Sequence, residues 1–169
     1  SLNTKNVIRM WTFSKSYGMA GSRVGYAIGE KELILNFEKI RNHFGMSRVS
    51  QVGALAALED NEFISKVVNK VALTRSRIVD IATRNNCKFI PSFTNFVAID
   101  CLNDSKFANR VLDNLINNGV FVRMPYSFPQ NRCIRVTVGL DKDIDLFEKY
   151  FPIAINETWS LTSMVSLIF

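Results

Sequence analysis

Apolar positions along the chain change period several times, and each change predicts an element. Residues 7–13, Val-Ile-Arg-Met-Trp-Thr-Phe, crowd β-branched and aromatic side chains into a short run that predicts a buried strand leading directly into Ser14-Lys15. Gly18 and Gly21 mark a loop, and residues 23–29, Arg-Val-Gly-Tyr-Ala-Ile-Gly, predict a second strand, with Gly25 suited to a close backbone approach. The spacing then becomes helical. Leu33, Ile34, Phe37 and Ile40 share one stripe of a helix over 30–42, and Ser47 or Ser50 caps a further helix through Leu58 that carries the small residues Gly53, Ala54, Ala56 and Ala57. From Asn61 to about Asn86, Ile64, Val67, Val68, Val71, Ile78, Ile81 and Ala82 recur near i, i+3, i+4, predicting a helix long enough to connect two domains.

The remainder alternates. Strands are expected at 88–90 and 95–100, a helix at 105–117 stopped by Gly119, strands at 120–123 and 133–138, and a final helix from Asp141. The stripe of that last helix includes Ile144, Leu146, Phe147 and Tyr150, and Pro152 is expected to end it, with Asp141 capping its free amides. The expected organisation is therefore residues 1–60 as part of a larger domain, 61–86 as an interdomain helix, 87–155 as a small α/β domain, and 156–169 as a tail with no assigned role.

Composition narrows the class. An apolar fraction of 47% with 21% charged residues is that of a folded chain rather than a disordered one. The net charge of +6 is spread from Lys5 to Lys149 without a run of four, which disfavours a nucleic-acid surface. No segment approaches the roughly 20 apolar residues of a spanning helix, so no membrane is expected. Cys87, Cys101 and Cys133 lack C-x-x-C spacing, so no metal is expected and a reduced, cytoplasmic protein is the simplest reading. His43, the only histidine, makes a Ser-His-Asp hydrolase improbable and is expected to be structural or exposed.

Chemistry concentrates in Thr12-Phe13-Ser14-Lys15-Ser16-Tyr17-Gly18-Met19-Ala20-Gly21-Ser22-Arg23-Val24-Gly25-Tyr26. An aldehyde cofactor needs a primary amine whose proton affinity can be lowered by its surroundings, and Lys15 stands at a strand end. A phosphorylated cofactor also needs its dianion held, a task suited to the fork of Arg23 and the hydroxyls of Thr12 and Ser14. An isolated lysine is more often a surface residue, and the surrounding pattern is what changes that reading.

This segment resembles the Schiff-base lysine signature of fold-type I, pyridoxal-phosphate-dependent aminotransferases, close to S-K-x-x-G-x-A-G-x-R-x-G-[YF] of the histidinol-phosphate branch. Two further matches follow in the family's order: Pro91-Ser92-Phe93-Thr94-Asn95-Phe96-Val97, similar to P-S-x-x-N-F, and Gly119-Val120-Phe121-Val122-Arg123 with Ile134-Arg135-Val136-Thr137-Val138-Gly139, similar to G-[IV]-x-V-R and L-R-[IV]-T-[VI]-G. The resemblance implies an α/β chain, the C-terminal remnant of the large domain plus a small α/β domain.

It further implies pyridoxal 5′-phosphate as cofactor, with Lys15 catalytic and Thr12, Ser14 and Arg23 beside it. By the same resemblance Arg135 grips the substrate α-carboxylate, and Arg123 and Asn95 complete the substrate contacts, Arg123 toward a side-chain phosphate. Amino acid and 2-oxo acid would be the substrates, and a homodimer or a complementing N-terminal half the partner. The family's ring-stacking aromatic and the aspartate paired with the pyridinium nitrogen have no counterpart here, so little transamination is expected of this chain alone. A decarboxylase of the same fold and a non-catalytic, self-associating module are the alternatives.

Overall fold

The computed structural model describes residues 4–165, with side chains through residue 160. It divides into two compact units, Ser1–Asn69 and Lys70–Phe169, each with its own core.

In the first unit, β1 (Ile8–Thr12) and β2 (Gly25–Gly29) form a two-stranded antiparallel sheet in which Thr12 faces Gly25 and Trp11 faces Tyr26. Glycine at 25 is required: a Cβ there would lie 2.6 Å from the carbonyl oxygen of Trp11. Helix α1 (Lys31–Glu38) is shorter than its stripe predicts and buries no residue, with Ile40 82% exposed beyond its end. Helix α2 (Arg48–Glu59) starts where Ser47 accepts a hydrogen bond from the Ser50 amide at 3.0 Å, the cap its sequence predicts. Phe13, Val24 and Ala54 make the small core, and Tyr17, Met19 and Ala57 pack against it.

The division between units falls within α3 (Asn61–Arg84), whose buried residues, Thr74, Ile78, Ile81 and Ala82, all belong to its second half. The second unit is a three-stranded antiparallel sheet in the order β3 (Lys88–Ile90), β4 (Phe96–Asp100), β5 (Cys133–Thr137). Val97 pairs with Val136 and Ile99 with Ile134, so these four share one face; all are buried with Phe107, Val111 and Leu115 of α4 (Ser105–Asn117) and Ile144, Phe147 and Phe151 of α5 (Asp141–Val165). Asp104 caps α4 through the Phe107 amide at 2.8 Å, and Gly119, at φ +77°, turns the chain beyond its end.

Several expectations are corrected, the first being the buried strand at 7–13, since β1 is largely exposed in a two-stranded sheet. The segment 120–123 is not a regular strand: only Arg123 bridges, to Arg135, while Val120 and Val122 are buried by packing. Helix α5 does not end at Pro152 but continues to Val165, because Phe151, Ala154, Ile155 and Thr158 carry its buried stripe past the proline and bury enough surface to offset the lost backbone bond. Its stripe omits Leu146, which is 44% exposed. Its start is secured by Asp143, which accepts the Leu140 amide at 3.0 Å, while Asp141 instead pairs with Lys70 at 3.1 Å. The first ten residues of the expected tail, 156–165, are therefore helix, with the Trp159 ring 4.7 Å from that of Phe107; Ser166 to Phe169 lie outside the described residues.

Charge ties α3 to α5 within this unit: Arg77 pairs with Asp145 at 2.7 Å and with Glu148, which also meets Arg84 at 2.5 Å. Hydrogen bonds from Arg84 and Arg77 hold the Glu148 carboxyl below its ordinary range. Buried Asp100 is matched by Arg132 at 2.5 Å. The three free cysteines gather around it, and burial, joined by the Asp100 charge, pushes the Cys87 thiol up to about 11. Burial, with the neighbouring thiols, takes Cys101 to about 12.

Candidate functional site

The β1–β2 ladder does not stop at Thr12. The Phe13 amide donates to the Val24 carbonyl at 3.2 Å, closing the base of a loop over residues 14–23. Continuing that register, the next facing positions are Ser14 and Arg23, with Lys15 directly beyond. Burial of the Phe13 and Val24 side chains against Ala54 anchors this base, so the loop that displays the amine and the guanidinium is fixed by packing beneath it. Inside the loop, Gly18 donates its amide to the Lys15 carbonyl at 2.9 Å and Met19 donates to the Phe13 carbonyl at 2.9 Å. Gly18 sits at φ +69°, which a side chain would strain.

Each expected residue of this group can be placed. The Thr12 hydroxyl accepts the Ser14 amide at 3.1 Å, drawing both hydroxyls to the strand end. Lys15 is exposed, and its ammonium has no partner among the described residues. Arg23 is exposed, lies in the left-handed region at φ +49°, and donates one terminal nitrogen to the Ala20 carbonyl at 3.0 Å. Ser50, buried on α2, donates to the Ser22 carbonyl at 2.8 Å and so pins the residue before Arg23. Thr12 and Ser14 thus meet at the end of β1, and Lys15 and Arg23 both lie on the loop that follows, while the cleft that Arg23 lines includes none of the other three. A primary amine, a guanidinium and two hydroxyls are the donor set that an aldehyde bearing a phosphate requires, so the residues present fit that end of pyridoxal 5′-phosphate.

The second unit assembles another pair. Arg123 and Arg135 exchange backbone hydrogen bonds, Arg123 amide to Arg135 carbonyl at 3.2 Å and the reverse at 2.6 Å, which sets the two side chains on the same face. Both line a cleft of about 510 Å³ with Asn109, Phe121 and Tyr126. The alternation expected from Ile134-Arg135-Val136 holds: its neighbours are buried on the helix side, and Arg135 is half-buried on the other, its guanidinium 4.9 Å from the Phe96 ring centre. Its Nε is buried without a hydrogen-bond partner, an arrangement that a bound carboxylate would complete. Asn95 is exposed, accepts the Val138 amide through its carbonyl at 2.9 Å, and is not among the residues lining this cleft.

Sequence reasoning did not foresee the neighbours of these residues. Asn109 and Tyr126 beside Arg123 and Arg135, and Arg41, Asn42, His43 and Gln51 beside Arg23, carry no motif or periodic signal, because clefts join residues from separate elements.

Comparison with known proteins gives a consistent result. The family model described as aminotransferase class I and II matches residues 2–146. The histidinol-phosphate aminotransferase of Aliarcobacter butzleri is 37% identical over 134 residues, 79% of this chain and 36% of that protein. That of Bacillus velezensis is 38% identical over 134 residues, with the same shares of 79% and 36%. Among solved structures, the histidinol-phosphate aminotransferase of Sinorhizobium meliloti in complex with pyridoxal-5′-phosphate superimposes with a TM-score of 0.83 at 44% identity, covering 90% of this chain and 42% of that one. Aspartate aminotransferase of Thermotoga maritima shares the fold, with a TM-score of 0.77 at 23% identity over 91% of this chain and 41% of its own. The chain spans 36% of the length of these two curated relatives.

Proposed function

Because this chain belongs to the class I and II aminotransferase family, we propose that it forms the lysine-bearing part of a pyridoxal-phosphate-dependent transaminase of the histidinol-phosphate type. In that reading it is the remnant of a fold-type I large domain, residues 1–60, joined through the helix at 61–86 to a small domain at 87–155. The observation that carries the proposal is the loop closed by Phe13 and Val24, whose sequence includes both Lys15 and Arg23.

When bound, the cofactor supplies an aldehyde and an electron-withdrawing ring. The residues of this chain would do the rest. Arg23, with the hydroxyls of Thr12 and Ser14, holds the phosphate dianion. The Lys15 amine, once free, takes the α-proton from the amino acid and returns it one position along, the same group serving as base and then acid. Arg135 fixes the α-carboxylate in both halves of the exchange between amino acid and 2-oxo acid, and Arg123 and Asn95 complete the substrate contacts. The partner is a homodimer mate or a complementing N-terminal half, and only the latter could supply the ring contacts, so the isolated chain has little turnover. Its setting is the cytoplasm.

A second reading, a non-catalytic module that self-associates, is favoured by the apolar residues that unit 1 leaves exposed, Met10 at 82%, Val49 at 83% and Val52 at 69%. One experiment separates the two. The chain is incubated with pyridoxal phosphate, reduced with borohydride and digested, and the modified lysine is located by mass spectrometry. Preferential labelling of Lys15, lost in Lys15→Ala, is expected; labelling spread evenly over surface lysines, with stable oligomers, would instead favour the module.

A further inference from the structure

The second unit holds the chain's three thiols, and the register of its sheet decides which of them can meet. Asn95 accepts the Val138 amide and Arg132 accepts the Cys101 amide, while Arg135 turns its own backbone groups away, to Arg123. Positions 95, 97, 99 and 101 of the β4 segment therefore bond to the β5 side. The alternate positions bond to β3, which makes Ala98 with Ile90 and Asp100 with Lys88 its hydrogen-bonded pairs. One place further along the same register, Cys87 faces Cys101 in a pair without mutual backbone bonds. The Cys87 amide agrees, since it donates to the Ala82 carbonyl of α3 at 3.0 Å and not to β4.

Facing residues of this kind stand about 4.5 Å apart at Cα with their side chains on one face, and a disulfide accepts Cα separations of about 4.4–6.8 Å. Cys101 lies on the helix-covered face with Val97 and Ile99, and Cys87 packs against that same cluster. Cys133 is the wrong partner. It faces Asp100, so its side chain leaves the opposite side of the sheet, and although buried it is not part of the cluster. Exposure divides the remaining pair: Cys101 is 3% exposed and Cys87 half-buried, so a small reagent reaches Cys87 first, and Cys101 meets only a sulfur already beside it.

We infer that Cys87 and Cys101 form a modification site, a thiol pair that a small-molecule disulfide oxidises to a bridge between the chain leaving α3 and strand β4. The Cys87 sulfur, as thiolate, attacks the small disulfide, forming one S–S bond and expelling one small thiolate, which takes up a proton. Cys101 gives up its proton and attacks the Cys87 sulfur, and the second small thiol leaves. Two protein thiols thereby lose two electrons and two protons, and one small disulfide becomes two thiols. Burial keeps both protein thiols protonated at neutral pH, so closure is slow, and in a reducing setting the bond is transient. The site does not depend on the roles of Lys15 and Arg23.

Trypsin places the three cysteines on separate peptides, so their pairing can be read directly. The full chain is incubated with oxidised glutathione under native conditions, remaining thiols are alkylated, and the unreduced digest is mapped by mass spectrometry. A linked Cys87–Cys101 pair, two hydrogens lighter than its separate peptides and released by dithiothreitol, is expected, with Cys133 alkylated. Cys133→Ala should keep the link, whereas Cys101→Ala should halt Cys87 at the glutathione mixed disulfide. In concentrated urea, where the register is lost, links should scatter over all three cysteines. A native link to Cys133, a Cys87 mixed disulfide that never advances in the unmutated chain, or three thiols still alkylated after prolonged oxidation each overturns the inference and leaves the cysteines as core filling. The unmutated map decides the matter even where a variant fails to fold, which far-UV circular dichroism reveals.

Discussion

Arg135 bears a cost that its surroundings do not repay. Its Nε is buried without a partner, and the Phe96 ring 4.9 Å away compensates only in part. An unpaired buried donor costs about 1–3 kcal/mol, so Arg135→Leu should leave the chain as stable as before or more stable, by about 1 kcal/mol. Urea unfolding measures this, and a loss above about 2 kcal/mol would make the guanidinium structural instead of ligand-directed. Arg135 stands out in the sequence as a charge between two apolar neighbours of a short strand, but an isolated arginine there more often packs its stem and wets its head, and its ligand role came from the family resemblance. Tyr126 and Arg41 do not stand out, since an exposed aromatic or a lone arginine in a connection is ordinary until the fold places it on a cleft.

Elements with strong local signals formed where the sequence predicts them. Helix α4 spans Ser105–Asn117 as expected because an aspartate cap, a regular stripe and Gly119 agree on both ends. Helix α5 shows the opposite case, in which a local breaker is outweighed by tertiary packing: Ile144, Phe147, Phe151, Ala154, Ile155 and Thr158 keep one buried stripe through Pro152. Proline removes a backbone donor and crowds the preceding turn, so Pro152→Ala is expected to stabilise the chain by about 1–3 kcal/mol, seen as a higher thermal midpoint. An unchanged or lowered midpoint would show that the helix has adapted fully to the ring. The expected strand at 120–123 failed for a related reason: buried Val120 and Val122 supply the apolar pattern, but only Arg123 reaches the β5 ladder.

At the scale of the whole chain the two units differ in how much they bury. The second encloses its sheet face with α3, α4 and α5, whereas the first rests on Phe13, Val24 and Ala54 beneath a two-stranded sheet, which is marginal alone. Amide hydrogen exchange on the intact chain should therefore proceed early at Met10 and Ala27 and last at Val97, Ile99 and Ile134. Uniform protection across both would indicate a single cooperative block. The open face of the first unit, with Val49 and Val52 uncovered, is consistent with a chain that spans 36% of its relatives' length.

The family model's match stops at residue 146, within α5, which goes on placing Phe147, Phe151, Ala154 and Ile155 in the second core. A chain cut there would lose one wall of that core, leaving Val97 and Ile134 wet, and what remained would be unable to stand by itself.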